Sequence, residues 1–325
     1  MKKILSIDSG GIRGIIPAII LAEIEARAGQ PVCNLFDFFA GTSTGGMLVL
    51  SLNCPDPSLR GWPLCSGTEV AQLFHEWGNR VFGRKLAKAD KLLSEKPSED
   101  RIEEMFREYF GNTLLSDSIK PTLVTAFDLA AGQPFFFNSA KTVRKTGTDV
   151  FMWQAARATT AVPTHFAPLR LAASRSPFSH SREVHLVDGS LFASNPAMCA
   201  LAEAHALFPD EDDFLVISLG CGETANVSLP VNAVQKRRRI IDFSLTAQSD
   251  CVDHQMRTLL SGQRYVRIQT DLAPGLDRID DASKENLLFM ERTTRETIVR
   301  YNEVLDRVVD LLAPSATESL ELAVA

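Results

Sequence analysis

The sequence has no apolar run that could cross a bilayer. No window of its 325 residues approaches the roughly 18 consecutive apolar residues that a spanning helix needs, so any contact with a membrane is expected to be peripheral. Residues 1–8 turn polar too early to form the apolar segment of a signal peptide. We therefore expect a cytoplasmic protein.

The chain also lacks the features of a nucleic-acid binder and of a zinc protein. Because 34 Lys and Arg face 40 Asp and Glu, the formal net charge is −6, and only 8% of the residues are aromatic, which argues against a nucleic-acid partner. The six cysteines include no C-x-x-C pair and no paired histidines lie nearby, so no metal site is expected. Cys54 and Cys65 are the one pair to consider for a disulfide, and we expect both to remain thiols in a reducing compartment.

The first 52 residues contain a strand, a glycine-rich turn and a helix, twice in succession. The first unit runs from the apolar residues Ile4–Ile7 through the turn 8–14 into a helix that ends before Gly29. The second unit runs from Leu35–Ala40 through the turn 41–46 into a further apolar helix.

Apolar runs and helical patterns alternate through the rest of the chain. Strands are predicted at Leu123–Phe127, Phe135–Phe137, Val184–Val187, Phe214–Leu219 and Tyr265–Ile268, and helices at Glu69–Val81, Met152–Ala161, Pro196–Leu207, Ser244–Leu260 and Lys284–Leu312. This order predicts an α/β fold with three layers (α/β/α) and a central, mainly parallel sheet. We expect one domain over residues 1–313, a solvated loop at Gly83–Asp100 and a frayed tail at 314–325.

The second glycine-rich turn has the pattern of a nucleophile elbow. Gly41-Thr42-Ser43-Thr44-Gly45 fits G-x-S-x-G between an apolar strand and a helix, a setting in which a sharp turn exposes the serine hydroxyl. By itself the pattern is weak evidence, because a serine that only caps a helix would look the same.

A nucleophilic serine also needs donors that hold an oxyanion, and the first turn can supply them. The consecutive amides of residues 9–14, at the mouth of a helix, would form a nest that suits an anionic oxygen. If both turns follow adjacent parallel strands, they meet at the carboxyl edge of the sheet. The turn fits neither G-x-G-x-x-G nor a P-loop pattern, so nucleotide hydrolysis is not predicted.

The residues alone leave the base open. His205 and His254 would follow Asp188 in the order of an α/β-hydrolase Ser-Asp-His triad, but no loop pattern surrounds either. Asp188 ends an apolar strand just before a glycine, which again indicates the carboxyl edge of the sheet. An aspartate in such a turn more commonly binds its own backbone.

Three ordered motifs together resemble the patatin-like phospholipase family. They are Asp8-Ser9-Gly10-Gly11-Ile12-Arg13-Gly14, Gly41-Thr42-Ser43-Thr44-Gly45-Gly46, and Asp188-Gly189-Ser190 with Asn195-Pro196-Ala197 behind it. The stretches 136–138 and 158–166 are also similar to that family's pattern, so the resemblance covers residues 3–220.

The resemblance implies a patatin-like acyl hydrolase that cleaves fatty-acyl esters of phospholipids or galactolipids and needs no metal or cofactor. It implies Ser43 as the nucleophile, Asp188 as the base without a histidine, and an oxyanion hole from the amides of Gly10, Gly11 and Ile12.

Two positions depart from the family pattern. Ser9 stands where the family usually has glycine. Ser190 stands where the family usually has glycine or alanine. If position 9 required a positive φ, serine there would cost roughly 1–2 kcal/mol. Arg13, in the same turn, is a candidate for stabilising developing charge, although a surface arginine that bonds helix carbonyls is as common.

Other functions and contacts stay open at this stage. The chain could be a lipid-binding or nucleotide-sensing protein that has lost catalysis, which the departure at Ser9 favours, or an effector that is silent until a ligand activates it. Lys236–Arg239, followed by two isoleucines, would suit an anionic lipid surface, although a solvated basic face is the more common use of so short a run. Trp77, Phe82 and Phe135–Phe137 are candidates for an acyl channel, although such aromatics usually pack in a core.

Overall fold

The computed structural model describes residues 1–82, 98–141, 149–163, 166–172, 183–224, 233–260, 262–273 and 278–313. Within them the strands are β1 (Lys2–Ile7), β2 (Phe38–Thr42), β3 (Thr122–Asp128), β4 (Gln133–Asn138), β5 (Leu169–Ala172), β6 (Glu183–Asp188), β7 (Phe214–Leu219), β8 (Glu223–Thr224), β9 (Tyr265–Ile268) and β10 (Asp271–Leu272). The helices are α1 (Ile15–Ala28), α2 (Val32–Leu35), α3 (Thr44–Asn53), α4 (Gly67–Phe82), α5 (Ser98–Phe110), α6 (Ser139–Lys141), α7 (Met152–Thr159), α8 (Ala197–Leu207), α9 (Ala233–Leu259), α10 (Lys284–Arg300) and α11 (Asn302–Leu312).

The central sheet is parallel in its middle and mixed on one side. Its strand order is β5-β6-β3-β2-β1-β7-β9, with β4 paired to β3 outside this path. The neighbours β3, β2, β1, β7 and β9 all run parallel, whereas β4 and β6 run antiparallel to β3. The two glycine-rich turns therefore follow adjacent parallel strands, β1 and β2, which is the condition under which they meet at the carboxyl edge of the sheet.

Helices cover both faces of the sheet, which confirms the predicted three-layer α/β/α fold. One core cluster packs α1, α3, α4, α5, α7, α10 and α11 against the sheet, and a second packs α8 and α9 against the opposite face. Every residue of β2 and of β7 is buried, as is typical of strands in a parallel sheet that helices cover on both faces.

The strands β2 and β6 meet end to end along one edge of β3. Since β4 pairs with β3 along the whole of the other edge, β2 and β6 share the remaining one. Thr42, the last residue of β2, lies opposite Thr125, and Asp188, the last residue of β6, lies opposite Ala126. Asp188 thus reaches the carboxyl edge of the parallel strands from an antiparallel strand, a direction that the sequence pattern did not reveal.

Some predicted boundaries were wrong. Helix α9 begins at Ala233 rather than Ser244, and the helix predicted over Lys284–Leu312 is interrupted at Tyr301. The apolar periodicity continues through Tyr301, so the sequence carries no mark of this break. Residues 98–100 of the predicted loop belong to α5.

Several predictions fall on parts of the chain that the structure leaves out. Residues 83–97 of the predicted loop, the predicted tail 314–325, and His165 lie outside the described residues. The side chains of Lys236–Arg239 and of Phe82 lie outside them as well.

The described residues contain no helix that is both long and apolar enough to span a bilayer. All six cysteines are free thiols, including Cys54 and Cys65. The Cys65 sulfur accepts a hydrogen bond from the Tyr109 hydroxyl at 2.9 Å, and burial raises the pKa of the Cys65 thiol to about 12.

Candidate active site

Ser43 lies at a sharp turn between β2 and α3. It has φ 56° and ψ −123°, and it is the one non-glycine residue with a positive φ in the described part of the chain. Such a conformation costs about 1–3 kcal/mol and persists where the surroundings enforce it. Here α3 lies directly on the end of β1, since a Cβ added at Gly45 would be 2.2 Å from the Ile7 carbonyl oxygen. The turn therefore has the strained backbone geometry that the G-x-S-x-G pattern predicted.

Thr159, the last residue of α7, holds the elbow from the side. Its Oγ1 accepts a hydrogen bond from the backbone amide of Ser43 at 2.8 Å and donates one to the carbonyl of Thr125 at 2.7 Å. Thr159 lies within the family-like stretch 158–166, but no role was predicted for it from the sequence. Nothing in its local pattern predicts this contact, because the two residues are 116 positions apart.

Replacing Thr159 with valine is expected to destabilise the protein by about 1–3 kcal/mol, because the buried amide of Ser43 loses its acceptor. We also expect activity to fall, since the strained serine is no longer held in place. Urea unfolding and initial rates would test this. Thr159→Ser keeps the hydroxyl and is the matched control. A folded Thr159→Val with normal rates and stability would contradict the assigned role.

Asp188 is buried beside Ser43. Its Oδ1 accepts a hydrogen bond from the Ser190 amide at 2.8 Å, the turn contact expected of an aspartate in this position. Its Oδ2 is also buried and accepts no regular hydrogen bond from the described part of the chain. Burial raises the pKa of the Asp188 carboxyl to about 6, against the lowering effects of the nearby Ser43 hydroxyl and of Ser190. A carboxylate with this pKa and a spare oxygen can accept a proton near neutral pH.

Hydroxyl groups behind the elbow hold the two parts of the site together. The Thr42 hydroxyl donates to the carbonyl of Ala193 at 2.7 Å and is also paired with the Thr125 hydroxyl at 2.7 Å. Because Ala193 belongs to the loop that follows Asp188, these bonds tie the end of β2 to that loop. Buried polar contacts thus set the position of Ser43 relative to Asp188.

The first glycine-rich turn offers two backbone donors. Among the described residues, the amides of Gly10 and Gly11 have no acceptor, whereas the Ile12 amide already donates to the Ile279 carbonyl at 3.0 Å. Of the three predicted oxyanion donors, Gly10 and Gly11 therefore remain. Gly11 adopts φ 58°, which favours glycine, whereas Ser9 has no positive φ. The serine at position 9 therefore carries no left-handed strain.

An apolar cavity of about 70 Å³ opens beside Ser43. Its wall contains parts of both glycine-rich turns, several large side chains of α4 and α5, and residues that follow α7. The lining residues are Gly11, Ile12, Ser43, Thr44, Met47, Phe74, Trp77, Gly78, Ile102, Met105, Phe106, Thr160, Val162 and Phe166. Such a wall suits a hydrocarbon chain better than a polar ligand.

Of the aromatic residues considered for an acyl channel, Trp77 lines this cavity. The segment Phe135–Phe137 does not: Phe137 is buried in the core, Phe135 packs against it, and Phe136 is 44% exposed. Alternation along β4 sends these side chains to opposite faces of the sheet, so consecutive aromatics cannot line one channel.

Neither of the two histidines weighed for a triad has a described contact with Ser43 or Asp188. The ring of His205 packs on Phe214, whose partner in β1 is Lys2, so His205 is at the opposite end of the sheet from the elbow. His254 is exposed on α9. The Ser-Asp-His alternative therefore gains no support from either residue.

Arg13 does not line the cavity. It has interactions of its own and lies near Cys221, so its assignment to charge stabilisation remains a prediction. In the described residues, no group of three His, Cys, Asp or Glu side chains could hold a metal ion.

Comparison with known proteins adds family information to this geometry. The family model described as patatin-like phospholipase matches residues 5–201. Patatin-like protein 2 of Oryza sativa subsp. japonica is 30% identical over 331 residues, covering 88% of this chain and 81% of that protein. Patatin-17 of Solanum cardiophyllum is 27% identical over 354 residues, which cover 96% of this chain and 90% of that protein. A protein of Arabidopsis thaliana named probable inactive patatin-like protein 9 is 32% identical, over 83% of this chain and 75% of its own length.

These matches include all three motifs that form the site. The two glycine-rich turns and Asp188 lie within the residues that the family model covers, and relatives at about 30% identity extend over most of the chain. The chain belongs to the patatin-like phospholipase family, whose members in general are lipid acyl hydrolases.

Proposed function

We propose that this protein hydrolyses fatty-acyl esters of lipids through a Ser43–Asp188 dyad. The observation that carries the proposal is the pairing of a strained serine, φ 56°, with a buried aspartate whose pKa is about 6, at the wall of an apolar cavity. Strain and a raised carboxyl pKa both cost stability, and they gather where chemistry requires them.

In the first half of the reaction, Ser43 forms an acyl-enzyme. Its Oγ attacks the ester carbonyl carbon while Asp188 Oδ2 takes the hydroxyl proton. The carbonyl oxygen becomes an oxyanion and accepts hydrogen bonds from the amides of Gly10 and Gly11. The tetrahedral intermediate then collapses, and the proton on Asp188 passes to the departing alkoxide.

In the second half, water replaces the alcohol. Asp188 takes a proton from the water as the oxygen attacks the acyl carbon, and the same two amides hold the second oxyanion. Collapse releases the fatty acid and returns the proton to Ser43.

The cavity and the family support the substrate class that we propose. The apolar wall next to Ser43 suits the acyl chain, and phospholipids and galactolipids are the esters that we propose. The lipid would be reached by peripheral contact with a surface. The six free thiols fit the cytoplasmic location that we propose for this reaction.

Hydrolysis of an ester series tests this function. Esters that differ in chain length and head group would be supplied to the wild type and to Ser43→Ala, with a fluorophosphonate probe as an independent readout. We expect hydrolysis and labelling by the wild type only. A wild type that neither hydrolyses any ester nor reacts with the probe would overturn the proposal.

The pH dependence provides a further test. Because Asp188 acts as a base only when ionised, kcat/KM is expected to fall tenfold per pH unit below a single apparent pKa of about 6. An ordinary aspartate would place this limb near pH 4. Initial rates at low substrate concentration between pH 4 and 8, with stability checked at each pH, measure it. A flat profile down to pH 4.5 would contradict a base with a raised pKa at this site, and so would contradict the observation on which the proposal depends.

A family member without catalysis is the second candidate, since one relative is named as probably inactive. The departure at Ser9 no longer supports this alternative, because Ser9 is unstrained and leaves the amides of Gly10 and Gly11 in place. Labelling by the fluorophosphonate probe separates the two candidates.

A further inference from the structure

The turn that carries the two oxyanion donors begins at a buried ion pair. Two nitrogens of Arg267 contact the two carboxylate oxygens of Asp8, at 2.6 and 3.1 Å, and each side chain is 5% exposed. Arg267 is on β9, two strands away from β1, and lies beyond the residues matched by the family model. Neither residue has a part in the proposed chemistry.

The pair is built into a closed polar cluster. Arg267 also donates to the hydroxyls of Ser218 at 2.8 Å and Ser249 at 2.9 Å. The Ser249 hydroxyl in turn donates to Asp8 at 3.3 Å. Burial alone would lower the pKa of Arg267, but Asp8 outweighs this effect and keeps the guanidinium charged.

The backbone of the turn is fixed on its other sides by neutral contacts. The amide of Ser9 donates to the Ser194 carbonyl at 2.9 Å, and the hydroxyls of these serines are also 2.9 Å apart. Gly10 lies so close to Cys221 that an added Cβ would be 2.3 Å from the Cys221 Cβ. The ion pair fixes the residue from which this turn starts, and it supplies the charge-assisted contact.

We propose that Arg267 is a positioning residue for the oxyanion hole: through its two-point contact with Asp8, it sets where the amides of Gly10 and Gly11 point. This inference rests on the proposed function. A planar guanidinium that grips both carboxylate oxygens fixes the orientation of the carboxylate plane as well as its distance. Asp8 is two and three residues from the donors, so a rotation at Asp8 moves both amides relative to Ser43.

The chemical consequence is a loss that appears in the transition state. Oxyanion donors act on charge that develops during the reaction and add little to the binding of the neutral ester. Misplacement of such groups by about 1 Å costs on the order of 10²-fold in rate. Changes at Arg267 should therefore lower kcat and leave KM almost unchanged.

Three variants separate positioning from stability. Arg267→Gln removes the charge and the two-point hydrogen bond of the guanidinium. Arg267→Lys keeps the charge, but its ammonium group binds only one carboxylate oxygen at a time. The double variant Asp8→Asn/Arg267→Gln removes both charges, so that no unpaired charge stays buried. Arg264→Gln is the matched control: it removes an arginine that immediately precedes β9 and forms a partly exposed ion pair with Asp213 at 2.7 Å.

For each variant of the 325-residue chain, kcat, KM and the pH dependence of the rate would be measured at a temperature where the variant is folded. The melting temperature would be measured separately. We expect kcat of Arg267→Gln to be about 10²-fold lower than that of the wild type, and its KM to stay within about twofold of the wild-type value. The fall in rate at acid pH should still follow the pKa of Asp188. Arg267→Lys should lose about tenfold, and Arg264→Gln should match the wild type. The double variant should regain melting temperature but not kcat.

Two results would overturn the inference. One is a folded Arg267→Gln with wild-type kcat, and the other is a kcat that follows the melting temperature through all variants, the double one included. Either would leave Arg267 a structural residue only. Absence of Ser43-dependent hydrolysis in the wild type is a different result, since it rejects the proposed function itself.

Discussion

Replacing Ser43 with alanine is expected to lower ester hydrolysis by about 10⁴- to 10⁶-fold and to abolish covalent labelling by a fluorophosphonate. The side-chain oxygen is the only non-hydrogen atom removed, and the backbone amide of residue 43 keeps its hydrogen bond to the Thr159 hydroxyl. The fold should therefore be retained. Ser51→Ala is the matched control, because Ser51 is a buried serine of the same helix, α3, and does not line the cavity.

The strain at Ser43 provides a second measurement on the same position. Ser43→Gly should be as inactive as Ser43→Ala but more stable by about 1 kcal/mol, since glycine tolerates φ 56° at little cost. Urea unfolding of the two variants measures this difference. Residual Ser43→Ala activity within tenfold of the wild type would refute Ser43 as the nucleophile. Equal stability of the two variants would refute the strain.

Replacing Asp188 with asparagine is expected to reduce kcat by about 10⁴-fold and, at neutral pH, to stabilise the fold. The amide oxygen can still accept the bond from Ser190, so the turn is preserved, while the base is gone. Full activity in Asp188→Asn would overturn the dyad.

The sign of the stability change follows from the direction of the pKa shift. The pKa of Asp188 is about 6 in the folded protein and near its ordinary value of 3.8 in the unfolded chain, so between these values the folded state binds more protons. Stability therefore falls as the pH rises from about 4 to about 6 and stays lower above that window. The two-unit shift corresponds to on the order of 3 kcal/mol at pH 7.

Asp188→Asn carries no such charge, so its advantage should be largest at pH 7 and disappear at pH 4. Urea unfolding at both pH values measures it, with Ser43→Ala as a variant that keeps the carboxyl and hence the pH dependence. An Asp188→Asn protein that is no more stable than the wild type at pH 7 would show that the carboxylate is not strained by burial.

The local sequence pattern predicted some features of this fold and could not predict others. The two strand-turn-helix units, the sharp turn at Ser43 and the alternation of strands and helices were predicted correctly, because apolar periodicity and the placement of glycines in consecutive residues indicate each of them. The direction of β6 was not predictable, since a short apolar run has no polarity in its pattern. The position of Trp77 in the cavity wall was not predictable either, because helical spacing is the same for a residue that lines a cavity and for one packed in the core.

The site shows the same division. Ser43, Gly10, Gly11 and Asp188 stand in motifs, and each is found at the carboxyl edge of the sheet. The Ile12 amide was assigned to the same hole, but its bond to Ile279, 267 positions away, takes it out of the set of free donors. Thr159 and Arg267 lie far along the chain from the groups they contact, and no local signal marks them.

By itself, the sequence determined the layered α/β fold, the family, and the candidate nucleophile, base and donors, because these depend on residue types in fixed local order. Within the described residues, the tertiary structure decided which backbone amides have no acceptor, which oxygen of Asp188 has no hydrogen-bond partner, how far burial raises the pKa of Asp188, and which distant side chains contact the two turns. Those properties arise from desolvation and from contacts between residues that are far apart in sequence, and only the folded chain brings such residues together.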